Sequence, residues 1–518
     1  MTGKIERVVI VGGGSGGWMT AAYLNRMLSR SGDKPISVTL VESDEVSIIG
    51  VGEATIPSFI AFLRAIDVPE WRIFAETDAT FKNAIKFVDW DRIRDAGASP
   101  SFFYHQFDRP PVIGGQSTLV HWLALKDAGL AVLPLDQSTS IGSALCEANR
   151  SPKLYNSPPY EAPLPYAYHL DTVKLGALLR SVATERGVEH VRAHVESVKQ
   201  SKSGNIKSLT TRDGKVIEGD LFIDCTGFAA VLIEGVLKEP FESHADRLLC
   251  DRAVACQVSR DVATSPARCY TTSIAKSAGW MWEIDLATRS GVGYVFSSKY
   301  ISDDDALVEL RDQIGPNRLE VSPPRFIPMR IGRRRNSWVG NCVALGLSSG
   351  FLEPLESTGI HLIVMGVQYL VDLLARGPSE PLLRSHYNKL MGDIFDDISD
   401  FIVLHYILNG RQSEPFWDYY RNNVIIPDSL KAKLELWAYK VPAPTDLPSR
   451  IGVFEAYSYM AIMAGHDALP PFGGNLSPFL DLTKSAAALD EIINLRALAL
   501  RSSPLHAEMI QRLRSVAG

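Results

Sequence analysis

The run Phe351-Leu352-Glu353-Pro354-Leu355-Glu356-Ser357-Thr358-Gly359-Ile360-His361 sets two carboxylic acids around a proline, directly ahead of a Ser-Thr-Gly helix start. It follows Gly346-Leu347-Ser348-Ser349-Gly350, which ends a short apolar stretch from Trp338 to Leu345. A strand entering such a turn and then a helix gathers several backbone N–H donors at one point. That point binds anions, because the donors lack intrahelical partners and the helix dipole is positive there. Taken alone, the stretch is a capped helix with an acidic first turn. A chemical role for Glu353 and Glu356 needs a partner elsewhere. Lys82, within Phe81-Lys82-Asn83-Ala84-Ile85-Lys86-Phe87, is an amine among apolar residues, of a type usually solvated. Phe102-Phe103-Tyr104-His105-Gln106-Phe107 is an aromatic cluster with one imidazole, either core or a wall on which a planar ligand stacks.

The partner lies at the N-terminus. Val8-Val9-Ile10-Val11 is a short β-branched run of the buried parallel-strand kind, and it enters Gly12-Gly13-Gly14-Ser15-Gly16-Gly17. Gly12, Gly14 and Gly17 satisfy GxGxxG, and Met19, Ala22, Tyr23 and Met27 mark one face of the helix that follows. A second strand, Val38-Thr39-Leu40-Val41, ends in Glu42. Strand, glycines, helix, strand and acid in this order form a dinucleotide-binding unit, with the pyrophosphate on the helix N-terminus and the acid on ribose hydroxyls. The acid favours an unphosphorylated ribose, hence FAD or NAD. Ile49-Gly50-Val51-Gly52-Glu53-Ala54-Thr55-Ile56-Pro57 is a second glycine turn without a P-loop lysine, either a plain loop or a place where backbone approaches a flat ring. With one GxGxxG, a second dinucleotide such as NADPH has no evident site of its own.

The 518 residues suffice for two or three structural units. At 46% hydrophobic, 22% charged and a net charge of −6, the composition is that of a soluble globular protein without basic clusters, which argues against nucleic acid as partner. No apolar run approaches the roughly 20 residues of a membrane span, and no signal peptide is evident. The cysteines at 146, 225, 250, 256, 269 and 342 show no CxxC spacing, so reduced thiols, a cytoplasmic location and no metal site are expected. Residues 135 to 166, rich in Pro, Ser and Asn, read as irregular surface structure. Tyr166 to Asp171 leads into a helix, Val188 to Val198 reads as a strand, and Leu221 to Gly227 is a buried strand entering a turn. Trp280 and Trp282 share a face if Gly279 to Ile284 is a strand, with Tyr294-Val295-Phe296 as hairpin partner across Ser290 to Gly293. Apolar periodicity predicts helices over 360–376, 381–409, 428–438 and 482–517, with Asp428 as an N-cap and Leu489, Ile492 and Ile493 as a core stripe.

Gly12 to Gly17, Gly50 to Pro57, Phe81-Lys82, Trp280-x-Trp282-x-Ile284 and Pro354-Leu355-Glu356-Ser357-Thr358-Gly359, in this order, resemble the flavin-dependent tryptophan-type halogenases, a branch of the single-component flavin monooxygenase fold. The resemblance runs from Val8 to about Leu436. It implies an α/β, FAD-binding Rossmann-like module over 1–365 with interleaved β-rich substrate segments, and a helical region over 366–518 that completes the substrate site. It further implies that Lys82 and Glu356 are the catalytic lysine and glutamate, that Ser357 lies beside the substrate, and that the Thr358/Gly359 backbone holds halide. Gly12, Gly13, Gly14, Ser15, Gly17, Glu42, Gly52, Glu53, Ala54, Val195 and Leu347 fall to the cofactor. His105, Phe107 and Phe454 fall to the aromatic ring, and Trp280 and Trp282 separate flavin from substrate.

The implied chemistry is coherent. Halide and an indole ring are both nucleophiles, so chloride or bromide must first be oxidised to hypohalous acid, with FADH2 from a separate NAD(P)H-dependent reductase and O2. Lys82 then receives that oxidant, and Glu356 polarises it or stabilises the cationic ring intermediate. Whether Lys82 becomes a haloamine or only donates a hydrogen bond stays open, as do halide preference and a homodimeric state. Two departures stand out. Asp285 replaces the proline of W-x-W-x-I-P, and the Tyr-Tyr-Glu clamp of members that take free tryptophan is missing between Trp437 and Tyr459, where Val441-Pro442-Ala443-Pro444 stands. The second favours indole or an indole derivative. An aromatic hydroxylase on the same fold, or a flavin-binding protein without turnover, is the alternative.

Overall fold

The computed structural model describes residues 5–28, 36–45, 52–93, 95, 97–130, 132–374, 380–447, 452–471 and 481–516; Ile49 to Val51 of the second glycine turn lie outside them. The chain forms two compact units, each from three stretches. The first takes Met1–Ala79, Leu170–Ala245 and Met329–Asp396, the second Thr80–His169, Asp246–Pro328 and Asp397–Gly518. One continuous helix, Gly359–Leu374, spans positions 365 and 366.

In the first unit a six-stranded sheet runs Glu189–Arg192, Ser37–Glu42, Arg7–Val11, Leu221–Asp224, Cys342–Ala344 and Trp338–Val339. All neighbours are parallel except the last pair. Val8 to Val11 and Leu221 to Asp224 are buried throughout, as the continuous apolar runs require of strands covered on both faces. Helix Ser15–Leu28 packs between Thr172–Glu185 and Gly359–Leu374. A three-stranded antiparallel sheet, Val195–Gln200, Ile206–Thr211 and Val216–Glu218, contributes Ile206, Leu209 and Ile217 to a core with Val9, Val11 and Phe222. The stretch expected as one strand over 188–198 is therefore two, serving two sheets.

The second unit is built on a seven-stranded sheet: Arg325–Pro328, Arg252–Ser259, Arg289–Phe296, Gly279–Asp285, Tyr270–Lys276, Ala84–Val88 and Phe102–Gln106. Neighbours are antiparallel apart from the parallel pairing of Tyr270–Lys276 with Ala84–Val88. Met281, Tyr294 and Phe296 face helix Asp303–Ile314, so Trp280 and Trp282 share the opposite face. The hairpin pairs Trp280 with Val295 as expected, but its turn is Leu286–Thr288, and Ser290 to Gly293 lie within the second strand. The Trp282 ring lies over Gly293, the residue paired with it.

Residues 135–166 are not merely surface. They contain helices Leu135–Thr139 and Gly142–Glu147, because the buried Asp108 carboxylate accepts the Ile141 and Gly142 N–H groups at 2.9 and 3.1 Å and the Ser140 hydroxyl. The predicted C-terminal helices appear as Gly359–Leu374, Pro381–Ile407, Asp428–Trp437 and Leu482–Ser502, and the last breaks at Ser503-Pro504 before His506–Ser515. Asp428 is the first helical residue rather than the cap, and Ile493 is exposed while Ile492 is buried.

A Cβ added at Gly293 would fall inside the Trp282 ring. Gly293→Ala is expected to displace that indole and destabilise the protein by about 1–3 kcal/mol, read by denaturant melts.

Candidate active site

The first unit holds the dinucleotide cradle. Gly12 has φ 110° and lies against the Cys225 carbonyl, a conformation and a closeness only glycine accepts. Gly13 abuts the Glu42 carboxylate, and Gly17 packs on the Gly12 carbonyl, while nothing stands within 4 Å of a Cβ at Gly14. That open position at the N-terminus of helix Ser15–Leu28 fits a pyrophosphate, and Glu42 ends the second strand as a ribose acceptor must. Glu42 also meets His190 Nε2 at 2.9 Å. Gly52 has φ 83°, and burial raises the neighbouring Glu53 carboxyl to about 7. Val195 opens the small antiparallel sheet, and Leu347 sits in the turn Gly346–Ser348. Ser348 Oγ anchors that turn on Asp224, whose other oxygen accepts the Leu232 and Ile233 N–H groups, all at 2.8 to 3.1 Å. The residues present fit FAD.

The same unit carries the acidic segment. Pro354–Glu356 forms a tight turn, Ser357 follows at φ 60° and ψ 36°, and helix Gly359–Leu374 begins two residues later. Glu353, Glu356, Ser357 and Thr358 are all buried. A left-handed serine is uncommon backbone, tolerated where surroundings impose it, and it turns the Thr358 and Gly359 amides abruptly out of the preceding turn. The solvated acidic first turn is thereby excluded.

The second unit holds Lys82, which is 0% exposed at the end of strand Thr80–Lys82, paired antiparallel with Ala167–Leu170. The backbone is fixed on both sides of it. The Phe81 N–H donates to His506 Nε2 at 3.1 Å, and the Asn83 N–H to the Cys269 carbonyl at 2.7 Å. His506 Nδ1 donates to the Ala267 carbonyl at 2.8 Å, which leaves Nε2 free to accept and fixes a neutral ring. Burial pulls this imidazole down to about 4. His169 is neutral too. Thr80 Oγ1 donates to the Asp285 carbonyl at 2.7 Å and so accepts from His169 Nδ1 at 3.1 Å. Burial, and secondarily the Lys82 charge, push the His169 ring well below its ordinary range.

The aromatic residues expected at the site lie in the same unit. Lys82 Nζ lies 5.4 Å from the centroid of Phe107. His105 is buried on Phe102–Gln106, the edge strand of the seven-stranded sheet, 6.2 Å from Phe454 and 5.7 Å from Phe401, a residue no sequence pattern singled out. Trp280 and Trp282 are buried with centroids 6.3 Å apart. Asp285, where the family has proline, pairs with Arg268 Nε at 2.7 Å and accepts from Ser290 Oγ at 2.6 Å, which holds its carboxyl far below the usual range. His506 was equally invisible in sequence, since a lone histidine in a helical pattern carries no signal.

The first unit thus carries a dinucleotide cradle and a buried acid turn ahead of a helix, and the second a buried lysine beside an aromatic ring. The family model described as tryptophan halogenase matches residues 7–477. The chain is 36% identical to tryptophan 6-halogenase SttH of Streptomyces toxytricini, over 95% of this chain and 94% of that one. It is 35% identical to tryptophan 7-halogenase RebH of Lentzea aerocolonigenes over 91% of each. The structure superposes on the flavin-dependent halogenase BrvH of Brevundimonas sp. BAL3 with a TM-score of 0.88 at 34% identity, covering 98% of this chain and 99% of that one. The protein belongs to the tryptophan halogenase family, and is a flavin-dependent halogenase that uses FAD and halide.

Because His506 stays neutral in the native state while an unfolded histidine binds a proton near 6.5, the unfolded chain holds the extra proton between that value and about 4. Stability is therefore expected to be fully present above pH 6.5 and to fall as pH drops through this window, by up to roughly 3 kcal/mol for this ring. Urea melts at pH 7.5 and 5 check this; His506→Asn should flatten the dependence.

Proposed function

We propose that the protein halogenates an indole-type ring and that Lys82 and Glu356 direct the oxidised halogen onto it. The observation that supports this best is a fully buried lysine, fixed through backbone on both sides, with its amine beside an aromatic ring. When bound as FADH2 with O2, the cofactor supplies the two-electron oxidation of chloride or bromide to hypohalous acid. The glycine loop binds its pyrophosphate, and the amides of Thr358 and Gly359 hold the halide. The Lys82 ammonium transfers a proton to the oxygen of hypohalous acid, which leaves as water while the halogen bonds to a ring carbon and the lysine becomes a neutral amine. Glu356 stabilises the cationic ring and accepts the proton lost from that carbon, so atoms and charge balance. His105, Phe107 and Phe454 hold the ring, Ser357 lies beside it, and Trp280 and Trp282 keep flavin and ring apart. A separate NAD(P)H-dependent reductase supplies FADH2. None of the six cysteines takes part in a disulfide, as suits the cytoplasm.

The relatives SttH and RebH are named for tryptophan. This chain has no Tyr-Tyr-Glu clamp between Trp437 and Tyr459, so its substrate is indole or an indole without an amino-acid arm.

Incubation with a flavin reductase, NADH, FAD, bromide and an indole panel tests the proposal by mass spectrometry. A bromine isotope pair is expected. A gain of one oxygen instead would mean hydroxylation and overturn it. Lys82→Ala should abolish halogenation, a loss of at least 10³-fold, with FAD affinity unchanged. Glu356→Gln should lose about 10²-fold and retain measurable turnover. Near wild-type bromination by Lys82→Ala would refute the assigned roles.

A further inference from the structure

Sandwiching a planar ring between His105 and Phe454 needs two roughly parallel walls about 7 Å apart, twice the stacking distance. The two rings instead stand 6.2 Å apart at 47°. The reason is Phe401, a fully buried residue of helix Pro381–Ile407, stacked on Phe454 at 3.8 Å and 20°. His105 is nearly equidistant from the two phenylalanines, 5.7 and 6.2 Å, while those two are only 3.8 Å apart. The imidazole therefore sits beside the stack, tilted to Phe401 by 57° and to Phe454 by 47°. The face of Phe454 on Phe401's side is already taken.

Behind Phe401 lies charge. Tyr459 packs edge-on to it at 4.9 Å, and the Tyr459 hydroxyl is 3.4 Å from Asp397, one helical turn before Phe401. Lys433 Nζ stands 3.6 Å from Asp397 and 3.5 Å from Asp400. Two buried carboxylates thus share one ammonium. Val453 N–H donates to Asp397 at 3.1 Å, tying the residue before Phe454 to the same group.

We infer that Phe401 is the specificity-determining residue of the substrate pocket. Its ring takes the face of Phe454 and separates the aromatic site from the Asp397/Asp400/Lys433/Tyr459 cluster, so the pocket accepts an aromatic ring and refuses a charged arm attached to it. The inference rests on the reading of His105 and Phe454 as substrate walls. Removing Phe401 opens the way to a cluster with one carboxylate more than its cation, which receives an ammonium-bearing arm better than a zwitterionic one.

The test compares indole, tryptamine and tryptophan in wild type, Phe401→Ala and Phe401→Leu, by competition turnover with bromide and by calorimetric binding without flavin. Phe401→Ala should shift the indole-to-tryptamine preference at least tenfold toward tryptamine, with a smaller shift toward tryptophan, and Phe401→Leu should fall between. Unchanged preference in variants that bind FAD normally would overturn the inference. So would loss of all substrates in Phe401→Leu, which would make the residue merely structural. If wild type halogenates nothing but the binding preference still shifts, the proposed reaction fails and the role of Phe401 stands.

Discussion

An amine at zero exposure is the constraint around which the second unit is arranged. Burying an ammonium costs several kcal/mol unless its surroundings compensate, and any further positive charge nearby adds to that cost. The residues around Lys82 remove such charges one by one. His169 and His506 are held neutral by burial and by hydrogen bonds that use both ring nitrogens. Arg268, which cannot be neutralised by losing a proton, is paired with both Glu283 at 3.0 Å and Asp285 at 2.7 Å.

Position 285 shows how one residue serves several of these needs. A proline there would keep a backbone carbonyl but could neither balance Arg268 nor accept the Ser290 hydroxyl. The aspartate carboxylate balances Arg268 and takes the Ser290 hydroxyl, while its backbone carbonyl receives Thr80 two residues before the lysine. The departure from the family pattern is thus built into the same network that holds Lys82. Trp280 and Trp282 keep their shared face without the proline, because that face is set by strand periodicity and by the space left at Gly293.

What the sequence made legible was what local chemistry determines. The order Val8 to Glu42 is a parallel βαβ unit, and the glycines need no tertiary information to be understood. Three of the four expected C-terminal helices are readable to within a few residues because their apolar period is sustained, while the one over 482–517 is interrupted at Ser503-Pro504. What failed did so where long-range partners override composition. The Ser- and Asn-rich stretch after residue 135 is ordered by Asp108, some thirty residues earlier in the chain. Ser290 to Gly293 reads as a turn by composition and is strand because a tryptophan ring needs the space. By composition Lys82 reads as a solvated lysine and only the family resemblance marks it, while its burial is visible only in the structure. Phe401 is one apolar residue in an apolar helix, and nothing in its neighbourhood distinguishes a wall from core.

The family match ends at residue 477, yet the acceptor that fixes the lysine strand comes from residue 506. Phe81 and Lys82 alternate in their hydrogen bonding. Thr80 and Lys82 face the strand Ala167–Leu170, and the Phe81 amide points the other way, where an unpaired donor would be costly in a dry interior. The C-terminal helix meets that need. It is itself held by backbone bonds from His506 to Asn149 and from Ser151 to Pro504, while Asn149 binds the chain at Ala267 and Cys269. Four separated stretches thus converge on one strand. A pattern that stops at the recognisable motifs describes which residues react; the position of the amine depends equally on a histidine that no motif contains.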